Sequence, residues 1–266
     1  MRNNPADIQL IPDGRGATMR RADLTKPCSL RRYCVQMREL TGTNQHDPDL
    51  ASPRAATAWA VAGLVAVLAF GAYLRFVAQG PLGIDEWWHG VAGVTRGSVP
   101  FAIAAFMAEV GSGVGAAVCA AIAAALFFAL RRPRAAATVM TAMLFGVAAS
   151  ELLKQLVARP RPWGQLYSAA GHSYPSGHTM GAAALVVSLA LIVRYSGWVT
   201  RQQAVWVNLA AAGWIVLMAW SRTALHVHWL SDTVAGAILG IASALISFAM
   251  WKPHRAAAQA GVGGSL

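Results

Sequence analysis

Between residues 55 and 250 the chain is a succession of apolar runs of about twenty residues, set apart by short segments that carry most of the charge. A run of that length crosses a hydrocarbon core of about 30 Å as an α-helix. Six runs fit, at residues 55–78, within 101–130, and at 135–158, 177–195, 204–220 and 229–250. The expected fold is therefore all-α: a polytopic membrane protein of about six transmembrane helices. The second run is longer than one crossing needs, and Gly111, Gly113 and Gly115 are placed to break it into a short helix followed by a true span. Charged residues make up 12% of the chain, about half the share usual in a soluble domain.

Charge placement sets topology. Arg131, Arg132 and Arg134 join runs two and three, Arg194 and Arg201 join four and five, and Lys252 and Arg255 follow run six. With alternating spans these fall on one side, together with the arginine-rich N-terminus, and the positive-inside bias makes that side cytoplasmic. The net charge of +11 follows this pattern and does not form the aromatic-studded patch of a nucleic-acid binder. Residues 1–53 read as a disordered basic tail, or as an over-extended start before Met19 or Met37. Residues 54–255 form the membrane domain and 256–266 a flexible tail. Cys28, Cys34 and Cys119 have no metal-ligand spacing, and no signal peptide precedes the first run.

Basic residues also sit on the other side, against the bias. Three short segments hold them. Lys154 and Arg161 lie seven residues apart at the end of run three, close to two helical turns, with Pro160 and Pro162 favouring termination there. Tyr174-Pro175-Ser176-Gly177-His178 opens run four: Ser176 is a helix N-cap, Gly177 admits a ligand to the backbone, and a helix N-terminus attracts anions. Ser221, Arg222, His228 and Asp232 join runs five and six, with His228 and Asp232 spaced i,i+4 as on one helical face. Each segment alone is also what an ordinary span end offers: snorkelling cations, a capped helix, an interfacial His–Asp pair. Together at one membrane face they form a phosphate-sized constellation, because ionisable groups near lipid are costly.

The pattern K-x6-RP, PSGH, SR-x5-H-x3-D resembles the type-2 phosphatidic acid phosphatases, whose site is similar to that of bacterial acid phosphatases and vanadium haloperoxidases. The match runs through Lys154, Arg161, Pro162, Pro175, Ser176, Gly177, His178, Ser221, Arg222, His228 and Asp232 and covers runs three to six. The resemblance implies a catalytic bundle from those runs and a phosphohistidine on His228, oriented by Asp232. It implies that His178 serves as the proton donor, and that Lys154, Arg161, Ser176, Gly177 and Arg222 hold the non-bridging oxygens. It implies no metal and no cofactor. The substrate would be a lipid phosphate or diphosphate (phosphatidate, phosphatidylglycerophosphate or a polyprenyl diphosphate) met at the extracytoplasmic face of the cell membrane. Transfer of the phosphoryl group to another alcohol is the nearest alternative. A non-enzymatic transporter is a more distant one. Oligomeric state is not legible.

Other polar residues stay outside that set. His226 is expected to be structural, and His172 a possible headgroup contact. Glu151 is placed to pair with Lys154, and Glu109 lies near or within a span. Arg159 reads as a spare headgroup cation or a topology signal.

Overall fold

The computed structural model describes residues 53–251 and, separately, a short N-terminal hairpin. In the hairpin, β1 (Leu10–Asp13) pairs antiparallel with β2 (Gly16–Met19), Leu10 opposite Met19. The rest of the expected N-terminal tail, the C-terminal tail, and Lys252 and Arg255 lie outside the described residues.

The membrane domain is all-α: α1 (Pro53–Phe76), α2 (Gly83–Ala92), α3 (Val99–Val110), α4 (Gly113–Ala129), α5 (Pro133–Val157), α6 (Gly177–Ser196), α7 (Arg201–Ala224) and α8 (Leu230–Trp251). Among the described residues, α1, α5, α6, α7 and α8 are each long and apolar enough to cross a bilayer, and α3 with α4 makes a sixth, bent span. The chain is a multi-pass membrane protein. The bend between α3 and α4 is 63° and falls at the expected glycines. Gly111 ends α3, and Ser112 caps α4 by accepting from the Gly115 amide at 3.1 Å. A Cβ at Gly111 would press into Met218 at 2.7 Å and His178 at 3.0 Å, so glycine there lets the break sit directly against α6 and α7.

Local sequence explains the other ends. Pro133 opens α5, and the chain leaves it through Ala158 in the left-handed region (φ 53°), followed by Pro160 and Pro162. Helix α7 is longer than run five because Thr200 and Gln203 form a capping box at its start and because Arg222 is held by protein, not lipid, at its end. Helices α5, α6 and α8 are the inner layer, while α1 and α7 turn most of their surface outward. In lipid, close backbone approach replaces the hydrophobic drive. Gly236 and Gly240 of α8 supply it: a Cβ on either would run into the carbonyls of Ser176 and Met180. That contact fixes the start of α6 against the start of α8, where the second and third polar segments lie.

Candidate active site

The three segments converge at one end of the bundle. Lys154, Arg161, Gly177, His178, Arg222 and His228 line a single cavity of about 280 Å³, shared with Glu109 and Tyr167. Helix α5 delivers Lys154 from its last turn, and α6 delivers Gly177 and His178 from its first. Helix α7 delivers Arg222 from its last turn. His228 sits in the link between α7 and α8, its amide turned back to the Arg222 carbonyl at 3.3 Å. Lys154 and Arg161 do not share a helical face, because α5 stops at Val157 before the prolines; the loop carries Arg161 to the cavity instead.

His228 is almost fully buried, and its tautomer is set from both sides. Its Nδ1 lies 2.7 Å from the Ser173 carbonyl, which can only accept, so Nδ1 carries the proton. Its Nε2 lies 3.3 Å from Arg161 Nη1, which can only donate, so Nε2 carries a lone pair toward the cavity. Burial, opposed by Asp232, brings the His228 pKa down to about 4, with Arg161 and Arg222 adding to the fall. The ring is therefore neutral at pH 7. The expected Asp232–Nδ1 hydrogen bond is corrected here. Helix α8 begins only at Leu230, so His228 and Asp232 are not stacked on one helix. Asp232 Oδ2 instead accepts from the Trp229 amide at 2.9 Å and stands 3.7 Å from Nδ1, beyond hydrogen-bond length. It acts on the ring by charge, and the Ser173 carbonyl supplies the orientation.

The cations divide into two kinds. Arg161 is locked: its three nitrogens donate to the carbonyls of Gly171 (3.0 Å), Ala170 (2.8 Å) and Val227 (2.7 Å). Burial lowers its pKa, and Asp232 opposes that. Arg222 is the opposite case: it is 2% exposed, and its Nε and Nη1 have no hydrogen-bond partner. Unpaired buried donors of a charged group cost free energy, on the order of several kcal/mol, unless a ligand satisfies them. Lys154 leans on Glu151 at 2.6 Å. His178 donates Nε2–H to the Ala108 carbonyl at 3.1 Å, the carbonyl being unable to donate. Ser176 is fully buried and is not part of the cavity wall; its hydroxyl accepts from Thr179 Oγ1 at 3.1 Å as the α6 cap.

Arg159 departs furthest from expectation. It is neither a spare headgroup cation nor a topology signal, because its side chain is wholly buried between Asp232 (2.6 Å) and Asp85 of α2 (2.8 Å). Glu109 and Tyr167, hydrogen-bonded to each other, are further cavity residues that no motif marked. The hydrogen bond to Glu109, with burial, raises the Tyr167 pKa. His226 turns away, its ring 3.9 Å from that of His89 and its Nδ1 3.3 Å from the Gly164 carbonyl; neither it nor His172 lines the cavity.

With this geometry in hand, residues 135–256 match the model of the PAP2 superfamily. The chain carries a PAP2-superfamily domain. No curated protein matches the chain. Two solved structures are similar to this chain in fold. One is the first transmembrane PAP2 type phosphatidylglycerolphosphate phosphatase from Bacillus subtilis, at TM-score 0.60 and 22% identity, covering 71% of this chain and 93% of that one. The other is Aquifex aeolicus LpxE, at TM-score 0.52 and 19% identity, covering 63% and 96%. The PAP2 match begins near the start of α5 and runs past the described end of α8, so it spans every helix that contributes a motif residue.

Proposed function

We propose that this protein is a phosphatase that hydrolyses the phosphomonoester or diphosphate of a lipid through a phosphohistidine on His228. The observation that carries the reading is Arg222, buried with two free donors beside a cavity that both imidazoles share. A tetrahedral anion satisfies those donors and brings its phosphorus within reach of the neutral Nε2 of His228. In the first step Nε2 attacks phosphorus, the bond to the lipid oxygen breaks, and His178, entering as the imidazolium that the bound anion stabilises, gives that oxygen a proton and becomes neutral. In the second step water attacks the phosphohistidine, His178 takes the proton, and inorganic phosphate leaves. Nδ1 keeps its own proton throughout, donated to Ser173. Lys154, Arg161 and Arg222 supply the charge that stabilises the transferring phosphoryl group, the larger part of what such a transfer asks of a protein.

The lipid tail stays in the bilayer while the head reaches the cavity. The arginine-rich links at the opposite end of the bundle, read with the positive-inside bias, support a site on the extracytoplasmic face with cytoplasmic termini. Purified protein in detergent should release phosphate from phosphatidate, phosphatidylglycerophosphate or a polyprenyl diphosphate in excess chelator, and vanadate should inhibit it. Product analysis with an added acceptor lipid separates hydrolysis from phosphoryl transfer. Activity that disappears with chelator and returns with magnesium would overturn the mechanism.

A further inference from the structure

The motif residues stop at Asp232, but the buried charge does not. Arg159 Nη1 bonds Asp232 Oδ1 and the Ser231 hydroxyl (2.8 Å); Nη2 bonds Asp85 Oδ2 and the Gly80 carbonyl (3.1 Å). Asp85 in turn accepts from the Ser231 amide at 2.9 Å, the Ser231 hydroxyl at 2.8 Å and the Leu82 amide at 3.1 Å. The side chains of Asp85, Arg159 and Asp232 are all completely buried. Two carboxylates share one guanidinium, so the cluster holds a net charge of −1 out of water. A staple between α8 and the loop would need only Arg159 and Asp232, which are neutral as a pair. The second carboxylate is surplus to pairing, and a buried surplus charge is expensive unless something nearby compensates it. Arg161 offsets part of it through Asp232, and the rest meets the His228 ring, neutral at rest, when that ring turns positive; its Nδ1 lies 3.7 Å from Asp232 Oδ2.

We propose that Asp85 is a positioning residue for the His228 reaction: by sharing Arg159 it leaves Asp232 only partly compensated, and the remaining negative charge stabilises the imidazolium formed when Nε2 bonds to phosphorus. The proposal rests on the phosphohistidine reading. The step balances: the Nε2 lone pair bonds to phosphorus as the bond from phosphorus to the lipid oxygen breaks, His178 protonates that oxygen, and the ring, keeping its Nδ1 proton donated to the Ser173 carbonyl, takes the positive charge. The charged and titratable groups on the ring's cavity side are Arg161, Arg222, His178, Lys154, Glu109 and Tyr167, with Asp232 behind; His226 faces His89 instead. Arg161 and Arg222 disfavour a positive ring, and Asp232, 3.7 Å from Nδ1, favours it. Helix α2 is built to hold Asp85 in place. Ile84, Trp87 and Val91 form its exposed ridge, while on the other face Trp88 donates to Thr223 at 2.9 Å and His89 packs on His226 and Trp229, which flank His228.

The test is a charge count. Asp85→Asn makes the cluster neutral and should lower kcat by about 10- to 100-fold with KM little changed, the usual range for losing a group behind an orienting residue. The acid limb of its kcat profile should stay at or below that of the unaltered protein. Mere loosening would instead hydrate His228 and move the limb up. The double variant Asp85→Asn with Arg159→Gln restores the net −1 and should recover part of kcat relative to Asp85→Asn. It also carries the test if the single variant does not fold. Unchanged kcat in Asp85→Asn, an acid limb that rises, or a double variant slower than the single one would overturn the proposal. If His228→Asn still releases phosphate, the underlying reading fails; if only His228→Asn is dead and Asp85→Asn is normal, this inference alone fails.

Discussion

The two ends of the helical bundle handle charge in opposite ways. At the end away from the site, Arg131, Arg132 and Arg134 are exposed and follow the water. They line a cavity of about 450 Å³, larger than the site cavity, but with neither a histidine nor a carboxylate in its wall. At the site end lie all five carboxylates between residues 53 and 251, namely Asp85, Glu86, Glu109, Glu151 and Asp232, and there Arg159 and Arg222 have left water altogether. Exposed cations at a membrane surface cost little and report topology. Buried ones survive only with partners, or with a ligand that completes them. Cavity size does not find the chemistry here; the unpaired buried donors of Arg222 in a cavity wall with two histidines do.

If that contrast is right, substitutions at the site end should be severe and those at the other end mild. His228→Asn should produce the largest effect, a loss of phosphate release on the order of 10⁴-fold or more, as when a covalent nucleophile is removed. Thermal unfolding in detergent should change little, since an amide of similar reach still meets the Ser173 carbonyl. Arg159→Ala comes next. It strands two buried carboxylates and should cost about 3–5 kcal/mol, the range for breaking a buried pair. The readout is the unfolding midpoint, and a midpoint within error of the unaltered protein would show that the cluster is solvated. Arg222→Gln should lower kcat/KM by about 10²–10³-fold without destabilising the fold, because the free protein gains nothing from its unpaired donors.

The pH dependence sharpens the same point. A nucleophile must be neutral, and a pKa lowered to about 4 means that protonation of His228 costs activity only as pH falls through that value. An isotope-labelled histidine titration should place His228 well below the ordinary 6.5. A titration near 6.5 would mean that the ring is hydrated and that the burial argument is wrong.

Much of this was legible in sequence, and the failures share a cause. Span count and the α3–α4 break follow from run length and glycine. The convergence of Lys154, Arg161, Gly177, His178, Arg222 and His228 follows from spacing and topology. What could not be read was pairing across distant segments. Arg159 and Asp85 are 74 residues apart, and a short amphipathic helix with two adjacent acids, Asp85 and Glu86, gives no sign of which one turns inward. The Ser173 carbonyl that orients His228 is backbone, and no side-chain pattern encodes it. Asp232 was placed on the same helix as His228 because i,i+4 spacing suggests it, yet the helix starts two residues late. A signal for Asp85 did exist: in a membrane domain with so few carboxylates, each one needs a partner.

The smallest effects belong at the opposite end, and there they should differ among themselves. Arg131→Gln and Arg134→Gln remove exposed charges and should alter stability by no more than about 0.5 kcal/mol, the range for surface substitutions. Arg132→Gln should cost slightly more, about 0.5–1 kcal/mol, because its guanidinium lies 4.3 Å from the Trp198 ring centre and a cation–π contact is lost. Trp198→Leu should erase the difference between Arg132→Gln and its neighbours in a double-mutant cycle. None of these variants should change phosphate release per folded molecule. An arginine here that altered kcat would join the two ends energetically, and the division of labour between them would have to be abandoned.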